Sequence, residues 1–309
     1  MSVSARERKA VIKPVVLPTR DGVGASCVSL PPGPWTRISD FLVQRFAHLP
    51  PEVWQQRMDD GEVVDERGVQ VTAERPYQPR LRVYYYRSIK AEPRIPFDEV
   101  LLFQDEHLAV VDKPHFLPVL PSGHYLQETV LVRLKRKLGI DDIVPIHRID
   151  RDTAGIVMFS LQPATRDAYH ALFRQHAVHK TYQAIAPWRP ELRFPLTRES
   201  RLAPAAHFMQ QCEVTGVVNS LTHIRLLEVH GALARYALHP VTGHRHQLRV
   251  HMAALGLPIL NDGMYPELTP EGTADYTRPL QLLAQSIAFQ DPLTGLSRRF
   301  DSQRQLALM

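Results

Sequence analysis

The stretch His147-Arg148-Ile149-Asp150-Arg151-Asp152-Thr153-Ala154-Gly155 alternates carboxylates with guanidinium groups directly ahead of the apolar run Ile156-Val157-Met158-Phe159. Such a run reads as a buried strand, so the charges fall on a loop that the strand anchors, and loops held by a rigid scaffold are where reactive groups are displayed. The competing reading is a solvated turn with local ion pairs. A second concentration of chemistry is His239, His244, His246 and His251. Read as an extended segment, it puts His244 and His246 on one face. Metal sites, however, want carboxylate or cysteine companions at fixed spacing, and this stretch offers mainly Arg245 and Arg249, which repel a cation. No metal is expected.

The elements that must position these groups follow from periodicity. Residues 1–34 mix charge with Pro31-Pro32-Gly33-Pro34 and show no sustained period, so they read as a loosely ordered lead. Ile38, Phe41, Leu42, Phe46 and Leu49 recur at helical spacing, Pro50-Pro51 stops that face, and a short helix with Val53, Trp54 and Met58 runs to Gly61. Val63-Val64, Val69–Val71 and the alternating Leu81–Tyr86 read as short strands around a hairpin. Two helices and a hairpin over 35–90 make a small module, and Pro93 and Pro96 mark a linker at 91–97. A hairpin of Val100–Phe103 and Leu108–Val111 opens a larger domain over 97–300, followed by a tail at 301–309. Within that domain, strands at 156–159, 182–186, 221–228 and 232–239 alternate with helices at 126–138, 164–176 and 246–255. This pattern is that of a mixed α/β (α+β) fold.

The chain of 309 residues is long enough for a large domain plus a small one. Its 37 Lys and Arg exceed its 32 Asp and Glu by five. That mild excess favours a polyanionic partner, because neutralised phosphates release condensed counterions, but local clustering has to supply the rest. Cys27 and Cys212 lie far apart and read as free thiols of a reducing compartment. The N-terminus shows no apolar leader, and no stretch approaches the roughly 20 apolar residues that span a bilayer, so the cytoplasm is expected and a membrane is not.

HRIDRDTAG resembles the HRLDRxTSG signature of the RluA-type pseudouridine synthases. Further similarities follow in the family's order: VVDKP at 110–114, KTYQA at 180–184, TGHRHQLRVHMAALGLPILND at 242–262 and LQLLAQSIAFQDPLTG at 280–295. The resemblance implies a catalytic domain with a mixed, largely antiparallel sheet and a central cleft. It implies isomerisation of uridine to pseudouridine in ribosomal or transfer RNA without metal or organic cofactor, and a monomer is expected.

Carried over by motif, Asp150 is the catalytic carboxylate, Tyr182 the aromatic of KTYQA, Arg249 its basic partner and Arg148 the RNA-contacting or base-expelling arginine. The reaction breaks the glycosidic bond, turns the base and rejoins it through carbon 5. It therefore needs an anionic group able to attack or stabilise an electron-poor centre. A guanidinium within contact distance preorganises such a carboxylate. A uridine stacked in folded RNA must be extruded, and a tyrosine ring can stack on the freed base, its hydroxyl also being placed to receive the carbon 5 proton. Without the resemblance, Tyr182 reads as an ordinary half-buried strand aromatic.

Two departures from the family pattern stand out. The usual GRTHQ is Gly243-His244-Arg245-His246-Gln247, so Arg245 is the substitute RNA contact, projecting to the opposite face if the segment is extended. The usual LHA is Leu282-Leu283-Ala284. Further RNA contacts are expected from Arg133, Lys135, Arg136 and Lys137 on one helix and from Lys113 in the DKP turn, against the plainer readings of a solvated helix face and a local pair with Asp112. The 35–90 module resembles the small alpha-L RNA-binding module, although acidic Glu52, Asp59, Asp60 and Glu62 oppose phosphate. Competing functions are a non-catalytic RNA-binding protein on a synthase scaffold and a metal-dependent hydrolase built on the histidines.

Overall fold

The computed structural model describes residues 17–87, 92–269 and 275–307. Residues 1–16 of the expected lead and 308–309 of the expected tail lie outside the described residues. The chain divides into two compact units, residues 1–91 and 92–309.

In the first unit, strands β1 (Ser26–Ser29), β2 (Val63–Asp65) and β3 (Arg82–Tyr85) form an antiparallel sheet in the order β1-β3-β2. Helices α1 (Ile38–Arg45) and α2 (Pro51–Asp59) accompany it. Asp40 accepts the Arg37 N–H at the start of α1, and Pro51 opens α2 where a missing N–H costs nothing. Ile38, Leu42, Trp54, Met58, Val63 and Val83 close the core between helices and sheet.

Two expectations differ here. Residues 26–29, read as loose lead, are a paired strand, because β3 would otherwise leave one edge open and Leu30 is buried in the core. Residues 69–71 are not a strand. Asp65 accepts the N–H groups of Arg67 and Val69 and pairs with Arg75, folding the segment into a tight turn with a single bridge between Val64 and Gln70.

Among the described residues, the second unit is a mixed sheet of eleven strands with three helices. In chain order these are β4 (Val100–Gln104), β5 (Leu108–Lys113), α3 (Val130–Leu138), β6 (Val144–Pro145), β7 (Ala154–Ser160), α4 (Arg166–Arg174) and β8 (His179–Pro187). There follow β9 (Leu196–Pro204), β10 (Gln211–Val214), β11 (Ser220–His230), β12 (Leu233–Pro240), α5 (Gln247–Ala254), β13 (Leu282–Gln290) and β14 (Ser297–Asp301). The main path runs β10-β9-β11-β12-β8-β13-β7-β5-β4, with β14 beside β13 and β6 beside β7. Among the described residues of this sheet only β13 and β7 pair in parallel; every other pairing is antiparallel.

Strands β5 and β7 are buried along their whole length, which explains the apolar runs Leu108–Val111 and Ile156–Phe159 within them. Helix α3 begins at 130 rather than 126. Glu92 accepts the N–H groups of Leu126, Gln127 and Glu128 outside any helix, and Thr129 then caps Val132.

Gly155 explains why the charged loop must end in glycine. Its φ is +109°, and a Cβ there would fall 2.2 Å from the Ala284 carbonyl oxygen of β13. The parallel pairing of β7 and β13 thus depends on a bare Cα. Ala284 also pairs with Tyr182 of β8, so Gly155, Ala284 and Tyr182 form one lateral row across three strands. Leu283, in the position of the family's usual histidine, packs with Ala154, Ile185 and Leu306.

Candidate active site

Residues 147–153 lead into β7 as a loop held at the carbonyls of Asp150, Arg151 and Asp152. Its turn closes with the Thr153 N–H donating to the Asp150 carbonyl at 3.2 Å. The Arg151 carbonyl accepts from Lys113 Nζ at 2.8 Å, and the Asp152 carbonyl lies 2.7 Å from His115 Nδ1, which must therefore donate. Behind the loop, His147 Nε2 accepts the Met158 N–H at 3.2 Å, and its ring stacks on Phe173. Burial pushes His147 down to about 3 and His115 down to about 4. Both are neutral parts of the scaffold. Three consecutive carbonyls are fixed, and the side chain of Asp150 is left partly exposed.

Asp150 faces α5. Arg249, on that helix, places Nη1 3.3 Å from Asp150 Oδ2. Its stronger partner is Asp262, which it grips at 2.8 and 2.6 Å. Arg249 and Asp262 are 2% and 1% exposed, so this is a buried ion pair whose guanidinium reaches outward to the loop carboxylate. Burial opposes the guanidinium's charge, but the Asp262 hydrogen bonds and the charges of Asp262 and Asp150 outweigh it and hold the group above its ordinary value. At the carboxylate's other oxygen, His246 Nε2 lies 3.7 Å from Asp150 Oδ1. Tyr182, half-buried on β8, feels the Asp150 charge, and burial followed by that charge raises its phenol above the usual range. Asp150, Arg249 and Tyr182 are brought together from a loop, a helix and a strand.

The remaining candidates separate. Lys113 is no RNA contact: it is wholly buried, because β5 is covered on both faces, and it donates to the carbonyls of Pro114 and Arg151. Burial lowers its ammonium to about 7 against the raising charges of Asp152 and Asp150. It supports the loop from beneath. Arg133 is also turned inward, donating to the Ile95 and Phe97 carbonyls and pairing with Glu128 and Glu99. Lys135 is half-buried, whereas Arg136, Lys137 and Arg148 lie at the surface. Arg245 is exposed and donates to the Phe208 and Met209 carbonyls.

The segment before α5 is not extended, as strand alternation would require. Gln247 accepts the Thr242 hydroxyl and the His244 N–H, folding residues 242–247 into a turn, and His246 caps α5 in a left-handed conformation. His244 consequently meets the Asn219 carbonyl, while His246 turns to Tyr265 and Asp150. His239 meets Thr181, and His251 is enclosed by Thr222, Ser200 and Ser220. Among the described residues no group of three or more His, Cys, Asp or Glu is arranged to hold a metal ion.

His251 yields a prediction about stability. It is fully buried, and burial, against the opposing charge of Glu213, lowers its imidazole to about 4. As pH falls from about 6.5 to about 4, the unfolded chain takes up this proton before the folded one does. The neutral ring's contribution is therefore complete above that window and lost within it, by about 1.4 kcal/mol per pH unit. Denaturant titrations of His251→Gln across this range are expected to show a slope shallower by about one proton; an unchanged slope would refute the assignment.

A model of the family described as RNA pseudouridylate synthase matches residues 107–254. The dual-specificity RNA pseudouridine synthase RluA of Haemophilus influenzae is 32% identical over 211 residues, covering 66% of this chain and 92% of the relative. The chain belongs to the RluA-type pseudouridine synthases. An uncharacterized RNA pseudouridine synthase of Synechocystis is 29% identical over 235 residues, 73% of this chain and 78% of that one. Among solved structures, human RNA pseudouridylate synthase domain containing 1 aligns with a TM-score of 0.56 at 20% identity, covering 69% of this chain and 86% of that chain. That likeness supports the fold. As a pseudouridine synthase, the protein isomerises uridine in RNA, and among the described residues no helix is long and apolar enough to cross a membrane.

Sequence reasoning assigned no role to Asp262, Tyr265 or His246 in this site. Asp262 closes the LPILND motif, and no sequence pattern marks it as a partner of Arg249.

Proposed function

We propose that Asp150 carries the isomerisation, with Arg249 holding the carboxylate, Tyr182 stacking on the extruded base and Arg148 contacting the RNA from the surface. The observation that carries this reading is the partly exposed Asp150 side chain, on a loop fixed from behind, with its Oδ2 facing a buried guanidinium. The reaction balances within the nucleoside: the bond from the ribose carbon 1′ to base N1 breaks, a bond to carbon 5 forms, the carbon 5 hydrogen leaves as a proton and N1 gains one. Burial and the Asp150 charge keep the Tyr182 phenol neutral, which favours stacking over proton abstraction among its two roles.

The RNA is ribosomal or transfer RNA, engaged by a monomer in the cytoplasm. The +5 net charge and the two free thiols, Cys27 and Cys212, support that setting. The test is release of label from RNA containing 5-tritiated uridine. Protein stripped beforehand with a chelator is expected to liberate tritium from ribosomal or transfer RNA. No release from either, or release that returns only when a divalent ion is restored, would overturn the proposal.

A further inference from the structure

The hydrogen bonds around His246 fix more than its position. The backbone N–H of Gln211 donates to the Tyr265 hydroxyl oxygen at 2.8 Å. The same hydroxyl lies 2.9 Å from His246 Nδ1. A buried phenol finds a partner for its own hydrogen, and here Nδ1 is the acceptor in reach. Nδ1 is then unprotonated, the ring hydrogen sits on Nε2, and Nε2 is the atom aimed at Asp150 Oδ1. The groups facing the ring are Tyr265, Asp150, Arg249, Arg245 and Asp262. Burial, with Arg249 and Arg245 assisting and Asp150 opposing, lowers the imidazole below its ordinary value. The separation of 3.7 Å is just beyond hydrogen-bond length, as catalytic contacts commonly are before substrate tightens them.

We propose that His246 is a positioning residue for the catalytic carboxylate: Tyr265 sets its tautomer, and its Nε2–H orients Asp150 Oδ1 while Arg249 holds Oδ2. The inference rests on Asp150 being the reacting carboxylate. Each carboxylate oxygen then has its own donor, one charged and one uncharged, both presented from the start of α5. Without the second donor the carboxylate rotates about the Arg249 contact. The chain Gln211–Tyr265–His246–Asp150 also ties the start of β10 to the reacting group.

The backbone supplies a discriminating experiment, because His246 has a φ of +56°. Asparagine tolerates this left-handed conformation better than glutamine does. Yet glutamine's amide nitrogen stands where Nε2 does, whereas asparagine's reaches only as far as Nδ1. A merely structural role therefore ranks His246→Asn above His246→Gln, and the positioning role ranks them the other way. With saturating RNA, the single-turnover rate of His246→Gln is expected within about threefold of wild type, and that of His246→Asn about 10–100-fold lower, both with unchanged RNA Kd.

Tyr265→Phe keeps the ring over Arg249 but frees the tautomer. It is expected to slow the same step, with a loss that does not add to that of His246→Asn in the double variant. This arm stands even if glutamine is not accommodated at 246. An asparagine variant as fast as the glutamine one, losses in Kd rather than rate, a Tyr265→Phe protein of wild-type rate, or additive losses would each overturn the proposal. Asp150→Asn run alongside separates the two readings. If it remains active, the assignment of Asp150 fails whatever His246 does; if it is inactive while the 246 variants behave alike, only the positioning role fails.

Discussion

Asp150→Asn is expected to reduce pseudouridine formation to less than about 1% of the wild-type rate while leaving RNA affinity and thermal stability close to wild type. The change keeps the shape of the side chain and removes its charge. The retained amide oxygen can still accept from Arg249 Nη1, and the loop's backbone contacts to Lys113 and His115 do not involve the 150 side chain. Asp152 cannot substitute. Its carboxylate is paired with Arg151 at 2.9 Å, and its carbonyl is held by His115. A variant that folds, binds RNA and still isomerises uridine at several per cent of the wild-type rate would remove Asp150 from the centre of the mechanism.

The motif around Asp150 was legible because its chemistry is local. Charged residues abutting a buried strand imply an anchored loop, and the loop's glycine answers a close approach of Ala284 that no other residue permits. Two of the basic residues were misread for the opposite reason. Lys113 and Arg133 have the composition of a phosphate-binding surface, but whether a long cation points outward depends on what covers its strand or helix. Here both strand faces of β5 are covered, and the 92–99 segment presents carbonyls and Glu99 to Arg133.

Strands β9 and β10 escaped notice because the residues on their covered sides are not all apolar. Arg198 pairs there with Glu213, and Ser200 reaches His251. A period of two is visible only when the buried face is hydrophobic. The turn before α5 was hidden likewise, since Gln247 stabilises it by side-chain bonds to the Thr242 hydroxyl and the His244 N–H, and sequence alternation carries no trace of them. Sequence reasoning paired Arg249 with Asp150, and nothing in the local pattern marks Asp262 as its stronger partner. The fold decides it by burying Asp262 and leaving Asp150 at the surface side.

That division changes what removal of Arg249 should do. A guanidinium paired only with a partly exposed Asp150 would be dispensable for folding, and Arg249→Met would be a lesion of rate alone. With Asp262 as the stronger partner, the substitution strands a fully buried carboxylate. Breaking a buried pair from one side costs about 3–5 kcal/mol, because the remaining charge keeps its desolvation penalty without its compensation. Arg249→Met is therefore expected to lose stability on that scale in denaturant titration, together with a rate loss of at least about 100-fold at saturating RNA from the misplaced Asp150. The two effects are separable. Adding Asp262→Asn removes the stranded charge while keeping an oxygen for the N–H groups of Met264 and Tyr265 that Asp262 now accepts. The double variant should recover most of the lost stability and none of the lost rate, since Asp150 still lacks its charged donor. If the single variant is as stable as wild type, the buried pair is not what holds α5 to the 260s loop. If the double variant regains activity, the guanidinium acts through folding alone and has no part in presenting the carboxylate.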